Sequence, residues 1–173
     1  MIKCFAVLTI LLITVGCGGG TTPNPADSPK HVAATADLTV SGQVTGRMAL
    51  TSDSQCIRRP PPDQDVFELD FKATGLTTSV PLDAADAGKI WELVVDSSTA
   101  GPDAVDAALG PVAYQRTGAI YFSHMGDGNT QSSLTVGQDL RSGSLKLQLK
   151  PQPRTVRGQG QVMVTGTFAC SFT

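Results

Sequence analysis

The chain has 173 residues, of which 13 are lysine or arginine and 15 are aspartate or glutamate, so its formal net charge at pH 7 is −2. This length suits one domain with a hydrophobic core and is too short for two domains of ordinary size. The nearly balanced charge argues against a nucleic-acid-binding protein, which would present a strongly basic surface. The 18 glycines and 11 prolines predict many turns and short elements rather than long helices.

The first 16 residues have the organisation of a secretory signal peptide. Lys3 supplies a positive charge, and residues 5–15 form an almost unbroken apolar run. The run is shorter than the roughly 20 apolar residues that cross a bilayer as a helix, and it is typical of the hydrophobic region of a signal peptide. Residues 1–16 are therefore predicted to be absent from the mature protein.

The apolar run ends in Val15, Gly16 and Cys17. This ending resembles the lipobox of bacterial lipoproteins, in which a small residue precedes a cysteine that is acylated and becomes the first residue of the mature chain. Thr14 departs from the pattern, since the family usually has leucine there. The resemblance implies that Cys17 carries lipid and that the protein is exported and anchored in the cell membrane or the outer membrane. The alternatives are an ordinary secretory signal cleaved nearby and an uncleaved anchor.

Residues 17–36 are predicted to be the lipidated cysteine and a disordered tether. They are rich in glycine, threonine and proline and have no apolar periodicity. Such a segment cannot bury enough surface to offset the entropy that it would lose on ordering. The folded domain is therefore predicted to span residues 37–173.

The cysteines can be assigned by elimination. Cys4 leaves with the signal peptide and Cys17 is acylated, so Cys56 and Cys170 remain in the folded domain. Two remaining cysteines in an exported protein are expected to form a disulfide. The bond would close a loop from Cys56 to Cys170, and the chain-entropy account assigns a stabilisation of about 4–5 kcal/mol to so long a loop. The alternatives are two free thiols or a metal pair, but no neighbouring histidine or cysteine completes a tetrahedral site.

Segments in which apolar residues mostly alternate with polar ones, together with a short apolar run at residues 119–123, predict an all-β domain. The segments are residues 38–50, 67–72, 76–82, 91–95, 119–123, 132–136, 145–150 and 162–172. The first is predicted to be one long strand, straight or bent in the middle, and residues 73–75 are predicted to turn the chain. About eight short strands predict an antiparallel β-sandwich, with a closed β-barrel as the alternative.

One segment has the signals of a short helix. Residues 102–110 place Pro102 in the first turn, Asp103 and Asp106 close behind it, and Gly110 as a stop. The segment is predicted to form about two helical turns. The two carboxylates would stabilise the positive end of its dipole.

The layout as a whole resembles that of small, poorly characterised bacterial lipoproteins, which combine a lipobox, a tether and one β domain with a single disulfide. The resemblance is carried by residues 15–17 and by residues 164–170. The first motif is fairly specific for lipidation, whereas many exported β domains share the second. The resemblance implies a location and an architecture, and it transfers no catalytic residue.

No catalytic arrangement is predicted. His124 is the one histidine of the predicted domain, and a serine hydrolase would need it beside Ser97, Ser98, Ser132 or Ser133. The G-x-S-x-G nucleophile motif is missing from the sequence. The favoured interpretation of His124 is an exposed histidine at the end of a hairpin.

Carboxylates are more numerous, and a glycosidase would need two of them across a cleft. The candidates are Asp83, Asp86, Glu92, Asp96, Asp103, Asp106 and Asp127. Sugar-binding clefts usually also carry aromatic platforms, but the chain has one tryptophan and two tyrosines. Asp127 and Asn129 offer oxygen ligands for calcium, but a hairpin turn explains them and the calcium-loop spacing is missing. No metal or other cofactor is predicted.

Arg58 and Arg59 stand directly before three consecutive prolines. A stiff polyproline segment with two arginines would present positive charge to a protein partner or to anionic headgroups. The alternative is an exposed connection in which the arginines pair with Asp63 and Asp65.

The leading functional hypothesis is a lipid-anchored lipoprotein of the cell envelope whose non-enzymatic β domain binds another envelope component. It depends on the predicted anchor, tether and disulfide, and on the missing catalytic arrangement. The alternatives are a carrier of an apolar ligand, with a pocket inside the sandwich or barrel, and a small hydrolase. A tightly filled core would argue against the carrier.

Overall fold

The computed structural model describes residues 29–59, 66–79, 90–97, 105–112, 121–123, 132–151 and 160–172. Within these ranges the chain forms ten β-strands and no α-helix, which confirms the predicted all-β class. The strands are β1 (Lys30–Gly42), β2 (Val44–Leu50), β3 (Gln55–Arg59), β4 (Val66–Thr78), β5 (Trp91–Ser97), β6 (Val105–Pro111), β7 (Tyr121–Ser123), β8 (Ser133–Val136), β9 (Ser142–Pro151) and β10 (Val162–Cys170).

The antiparallel strands close into a ring. Hydrogen bonds connect β10, β1, β2, β4, β5, β6, β7 and β9 in that order, and β9 pairs with β10 to complete the circuit. Pairing of β1 with β10 from Ala34 to Gly42 makes the first and last described strands neighbours. Of the two arrangements predicted from the sequence, the closed β-barrel corresponds to this ring.

Two positions in the barrel wall are each filled by two short strands. β2 and β3 pair with successive parts of both β1 and β4, so these four strands also close a smaller ring. β7 and β8 pair in the same way with successive parts of β9. β2 and β3 form one wall strand with an interruption at residues 51–54, whereas β8 lies beside β9 alone among the described strands.

The apolar faces of the strands fill the interior of the barrel. The predicted inward faces are confirmed in β9, where Leu145, Leu147 and Leu149 are buried, and in β10, where Val162 and Val164 are buried. The largest fully buried side chains are Tyr121, Phe71, Leu38, Leu69, Leu93, Leu109, Leu147 and Leu149. Removal of this apolar surface from water, at about 25 cal/mol per Å², is the main term that favours the barrel.

The prediction of one long strand over residues 38–50 is wrong, because the chain reverses after Gly42. Val40 of β1 lies opposite Gly46 of β2 in an antiparallel pair. The reversal needs glycine, since Gly42 has a φ of 109° and a Cβ there would overlap the carbonyl oxygen of Gln161. Even-numbered residues face inward on both strands, so the alternation continues through the reversal without a break.

The predicted turn at residues 73–75 is also wrong, since β4 continues through them to Thr78. β2 pairs with the second half of β4, and the pairing shifts register between Gly46 and Ala49. Because β2 already pairs with residues 73–78 of β4, the chain forms these hydrogen bonds without reversing.

The helix predicted over residues 102–110 is wrong, because Val105–Pro111 form β6. Burial alternates along this strand, and β6 pairs with β5 over its whole length. The local sequence is compatible with a helix or a strand, and pairing with β5 and β7 overrides its helix propensity. Asp106 therefore lies in a strand, not in a first helical turn, and Asp103 lies outside the described residues.

The folded part begins earlier than predicted. β1 starts at Lys30 and pairs with β3 over residues 30–33 and with β10 from Ala34 onward. Residues 30–36, which the sequence assigned to the tether, therefore belong to the barrel. The signal peptide and the first part of the tether lie outside the described residues. Over the ranges that the structure describes, no helix is long and apolar enough to cross a membrane.

Candidate functional site

Cys56 of β3 and Cys170 of β10 form the predicted disulfide, with their Cα atoms 5.9 Å apart and 114 residues between them in sequence. Cys56 lies opposite Val32 of β1, and Cys170 lies opposite Ala34. The bond therefore links the two strands that flank the start of β1. Both cysteines are buried and oxidised, which removes them as nucleophiles.

Three polar residues of the described wall are buried, namely Ser54, Glu92 and Ser132. The Ser54 hydroxyl donates to the Lys72 carbonyl oxygen (2.9 Å) and accepts from the Lys72 N–H (3.0 Å). The Ser132 hydroxyl contacts Gln148 in the same way, at 3.4 and 2.9 Å. Lys72 also accepts the Thr51 N–H on its carbonyl oxygen (2.7 Å), so the specific part of each serine is to accept the backbone N–H of Lys72 or Gln148. Ser132, a candidate nucleophile in the sequence, serves here as a backbone partner.

Glu92 is the buried charged residue that this backbone role does not explain. It lies on the outer face of β5, directly opposite Lys72 of β4, and Asp70 is the next outward residue on β4. Lys72 Nζ is 3.7 Å from Glu92 Oε1 and 3.6 Å from Asp70 Oδ2. Asp70, Lys72 and Glu92 are named the carboxylate cluster below.

Hydrogen bonds extend the carboxylate cluster toward β3 and β1. Gln55 Nε2 donates to Asp70 Oδ2 over 3.3 Å, and Gln55 Oε1 is 3.2 Å from His31 Nδ1. Burial raises the pKa of Glu92, as do the charge of Asp70 and a hydrogen bond with it, whereas Lys72 opposes the rise in this pKa. Glu92 is therefore expected to keep its proton to a higher pH than an ordinary glutamate.

A second row of charges lies two residues further along β4. Glu68, Asp96 and Asp106 are directly opposite one another on β4, β5 and β6, and Arg59 Nη2 donates to Glu68 Oε2 over 2.7 Å. Partial desolvation raises the pKa of Asp96, the charges of Glu68 and Asp106 add to the rise, and Arg59 opposes it. Asp96 is exposed, so water screens much of this effect.

The two arginines that were predicted to bind a partner are on different faces of β3. Arg59 is on the outer face and forms its ion pair within the wall. Arg58 lies opposite Phe67, whose side chain is buried in the barrel, and is itself exposed near the end of the strand. Asp63 and Asp65, the alternative partners, lie outside the described residues.

At the opposite end of the barrel, Gln43 connects the first chain reversal to other strands. Its side-chain amide is 3.0 Å from Tyr121 Oη on β7, which lies across the ring from β2. In the amide orientation that satisfies both atoms, Nε2 donates to the Gly160 carbonyl oxygen (3.1 Å) and Oε1 accepts from the Gly160 N–H (3.2 Å). Burial raises the pKa of Tyr121. These bonds cross the end of the barrel.

The other predicted site residues do not form a centre in the described part of the chain. Ser97 and Ser133 lie on separate strands, β5 and β8. Within the described ranges, no three His, Cys, Asp or Glu side chains are grouped so that they could hold a metal ion. The candidates outside these ranges are Cys17, Asp83, Asp86, Ser98, Asp103, His124, Asp127 and Asn129.

The sequence did not reveal the carboxylate cluster as a unit. The alternation in β4 correctly predicts that Asp70 and Lys72 face outward, and Glu92 stands between the apolar Trp91 and Leu93. The outward position of Glu92 was the one feature in the sequence that could have indicated the carboxylate cluster. Which strand lies beside it is decided by long-range pairing that a local pattern does not contain.

Comparisons of this chain with protein-family models, with curated proteins and with solved structures find no match.

Proposed function

We propose that this chain is an exported lipoprotein, anchored in a membrane of the cell envelope through lipid on Cys17, whose barrel is a non-enzymatic binding module for another envelope component. The observation that carries the proposal is the Cys56–Cys170 disulfide. Structural disulfides form and persist in oxidising compartments outside the cytoplasm. The lipobox resemblance at residues 15–17 adds the anchor to this location.

The start of β1 sets the distance between the proposed anchor and the barrel. β1 begins at Lys30, so residues 18–29 would join the acylated Cys17 to the first strand. These roughly 12 residues span at most about 40 Å when fully extended, and about 20 Å on average as a flexible chain. The barrel would therefore stay close to the lipid surface, within reach of partners at that membrane.

A binding surface on the outside of the barrel fits the structure better than an internal ligand pocket. Leu38, Phe71 and Leu147 point inward from separate strands and have no exposed surface. The Phe168 ring packs so closely on Gly143 that a Cβ there would overlap it. Side chains of the protein itself therefore occupy the described interior, which argues against the apolar-ligand carrier.

The anchor is tested by metabolic labelling with a fatty-acid probe in a bacterial host that processes lipoproteins. We expect the unaltered chain to incorporate the probe and to fractionate with membranes, and Cys17→Ser to lose both properties. Cys4→Ser is the matched control, because this cysteine lies inside the predicted signal peptide, and it should keep the label. Label that persists in Cys17→Ser would overturn the proposed anchor.

The binding role is tested by chemical cross-linking of the tagged, lipidated chain in its own cells, followed by purification and mass spectrometry. A partner should be enriched with the unaltered chain and lost with Cys56→Ala/Cys170→Ala, which weakens the barrel but keeps the anchor. Equal recovery with both chains would place binding outside the folded barrel and contradict the proposed role of the module.

A further inference from the structure

The carboxylate cluster holds two acidic groups against one cation. Glu92, Asp70 and Lys72 have side-chain exposures of 7%, 14% and 29%, so water reaches the two acids poorly. Lys72 Nζ lies within 4 Å of both carboxyl groups. If both acids were ionised, one negative charge in this partly buried site would remain without compensation, which is costly.

Hydrogen bonding in the cluster also leaves one acceptor without a donor. Asp70 Oδ2 receives Gln55 Nε2 and faces Lys72 Nζ. Asp70 Oδ1 is buried and has no hydrogen-bond partner in the described part of the chain. Glu92 and Asp70 lie on adjacent strands, and the same Lys72 Nζ is 3.7 Å from Glu92 Oε1 and 3.6 Å from Asp70 Oδ2, which places the two carboxyl groups beside each other. A protonated Glu92 would therefore supply the O–H donor that Asp70 lacks.

We propose that Glu92 retains a proton and donates it in a hydrogen bond to the Asp70 carboxylate, and that this hydrogen bond makes the contact between β4 and β5 a pH-sensitive clasp in the barrel wall. With the proton present, a carboxyl–carboxylate hydrogen bond joins the two strands beside Lys72. When the proton leaves, two carboxylates repel each other across the same pair of strands, and the wall is weakened there.

The charged and titratable groups around Glu92 are consistent with this assignment. On β4 they are Lys72, Asp70 and, further along, Glu68, whose partner is Arg59 of β3. The other side of β5 is formed by β6, which places the uncharged Gly110 opposite Glu92 and places Asp106 opposite Asp96.

The remaining titratable group reaches the cluster indirectly. His31 of β1 is connected to Asp70 only through the amide of Gln55. Lys72 is therefore the cation that directly contacts both members of the carboxyl pair.

The sign of the pH effect follows from proton linkage. In the folded chain, burial and Asp70 raise the pKa of Glu92 above its ordinary value of 4.5. Between that value and the raised pKa, the folded protein binds more protons than the unfolded chain, so stability falls as the pH rises. The clasp is therefore closed at mildly acidic pH and opens as the pH increases through the raised pKa.

The test compares thermal unfolding of the full chain and of Glu92→Gln at pH 5 and pH 8. Glutamine keeps the shape of a protonated glutamate and donates to Asp70 at both pH values. We expect the unaltered protein to unfold at a lower temperature at pH 8 than at pH 5, and Glu92→Gln to remove most of this decrease. Asp37→Asn, which alters the exposed Asp37–Arg47 ion pair, should retain it.

Hydrogen exchange locates the effect. Amides of β5 should exchange several-fold faster at pH 8 than at pH 5 after correction for the intrinsic rate, with no such change in Glu92→Gln. Parallel pH profiles for the unaltered and Glu92→Gln chains would overturn the proposal, as would a Glu92 carboxyl carbon that titrates in the ordinary range by NMR. If Glu92→Gln does not fold, Asp70→Asn takes its place in the test, because it removes the same repulsion from the side of β4.

Discussion

At the residue scale, two buried serines explain how the wall remains hydrogen-bonded where its strands are interrupted. Each hydroxyl both donates to and accepts from the backbone of one residue on the neighbouring strand, Lys72 for Ser54 and Gln148 for Ser132. A buried backbone N–H without an acceptor is costly, and each serine hydroxyl supplies that acceptor, to Lys72 N–H in one case and to Gln148 N–H in the other.

Ser54→Ala is expected to lower the free energy of unfolding by about 1–3 kcal/mol, because the buried Lys72 N–H loses its acceptor. Urea unfolding followed by circular dichroism measures the change. Ser52→Ala is the matched control: its side chain is exposed and contacts the neighbouring Asp53, so it should change stability by less than about 0.5 kcal/mol. Equal effects of the two substitutions would contradict the role given to Ser54.

Gly143 is a second position where a single residue decides local packing. A Cβ there would overlap the Phe168 ring and the Thr135 carbonyl oxygen. We expect Gly143→Ala to cost about 1–3 kcal/mol through this overpacking. Gly137→Ala, whose Cβ would meet the end of the Asp139 side chain at 3.0 Å, should cost less. Denaturant midpoints of the two variants provide the comparison, and a more stable Gly143→Ala would show that the ring can move aside.

At the scale of elements, β6 is the clearest case in which neighbours override a local signal. Its residues combine good helix formers with a proline and a glycine at the ends, and these signals predicted a helix over residues 102–110. In the barrel the segment is extended between β5 and β7, and its odd-numbered residues are buried. Nothing within the segment distinguishes the two outcomes until the flanking strands are in place.

Substitutions at two adjacent alanines of β6 distinguish the observed strand from the predicted helix. Ala107 is buried, whereas Ala108 is partly exposed. A helix over residues 102–110 would instead bury Ala108 together with Val105 and Leu109, since these three residues share one helical face. We expect Ala107→Lys to lower stability by about 3–5 kcal/mol, since it buries an unpaired charge, and Ala108→Lys to cost less than about 1 kcal/mol. The reverse order of unfolding midpoints would support the helix.

At the scale of the whole molecule, the barrel is held by contacts between the two ends of the described chain. β1 pairs with β10, and the disulfide joins β3 to β10 across the beginning of β1. The bond therefore constrains the unfolded chain from β3 to β10, and it lies beside β1, where the ring closes.

Removal of the disulfide should cost about 4–5 kcal/mol, which the chain-entropy account assigns to a loop of 114 residues. The measurement is urea unfolding of the oxidised chain against Cys56→Ala/Cys170→Ala. The reduced, alkylated chain serves as a second comparison, and thiol alkylation of the unreduced barrel should detect neither Cys56 nor Cys170. Identical midpoints for the oxidised and double-alanine chains would contradict this role of the bond.

The sequence by itself determined the all-β class, the inward faces of β9 and β10, and the pairing of Cys56 with Cys170. These features depend on a period of two along each strand or on counting cysteines, and neither requires knowledge of which strands are neighbours. Cys17 and the lipid anchor remain predictions of the same local kind.

Only the tertiary structure decided the reversal at Gly42, the continuation of β4, the extended form of β6, the closure of the ring and the meeting of Asp70 with Glu92. Each of these depends on pairing between residues far apart in the chain, and the energy of such pairing appears only when both strands are present. The alternation that marks a strand is the same whether the chain continues, reverses or closes into a barrel. Neighbours, rather than local pattern, therefore decided the architecture and the candidate site.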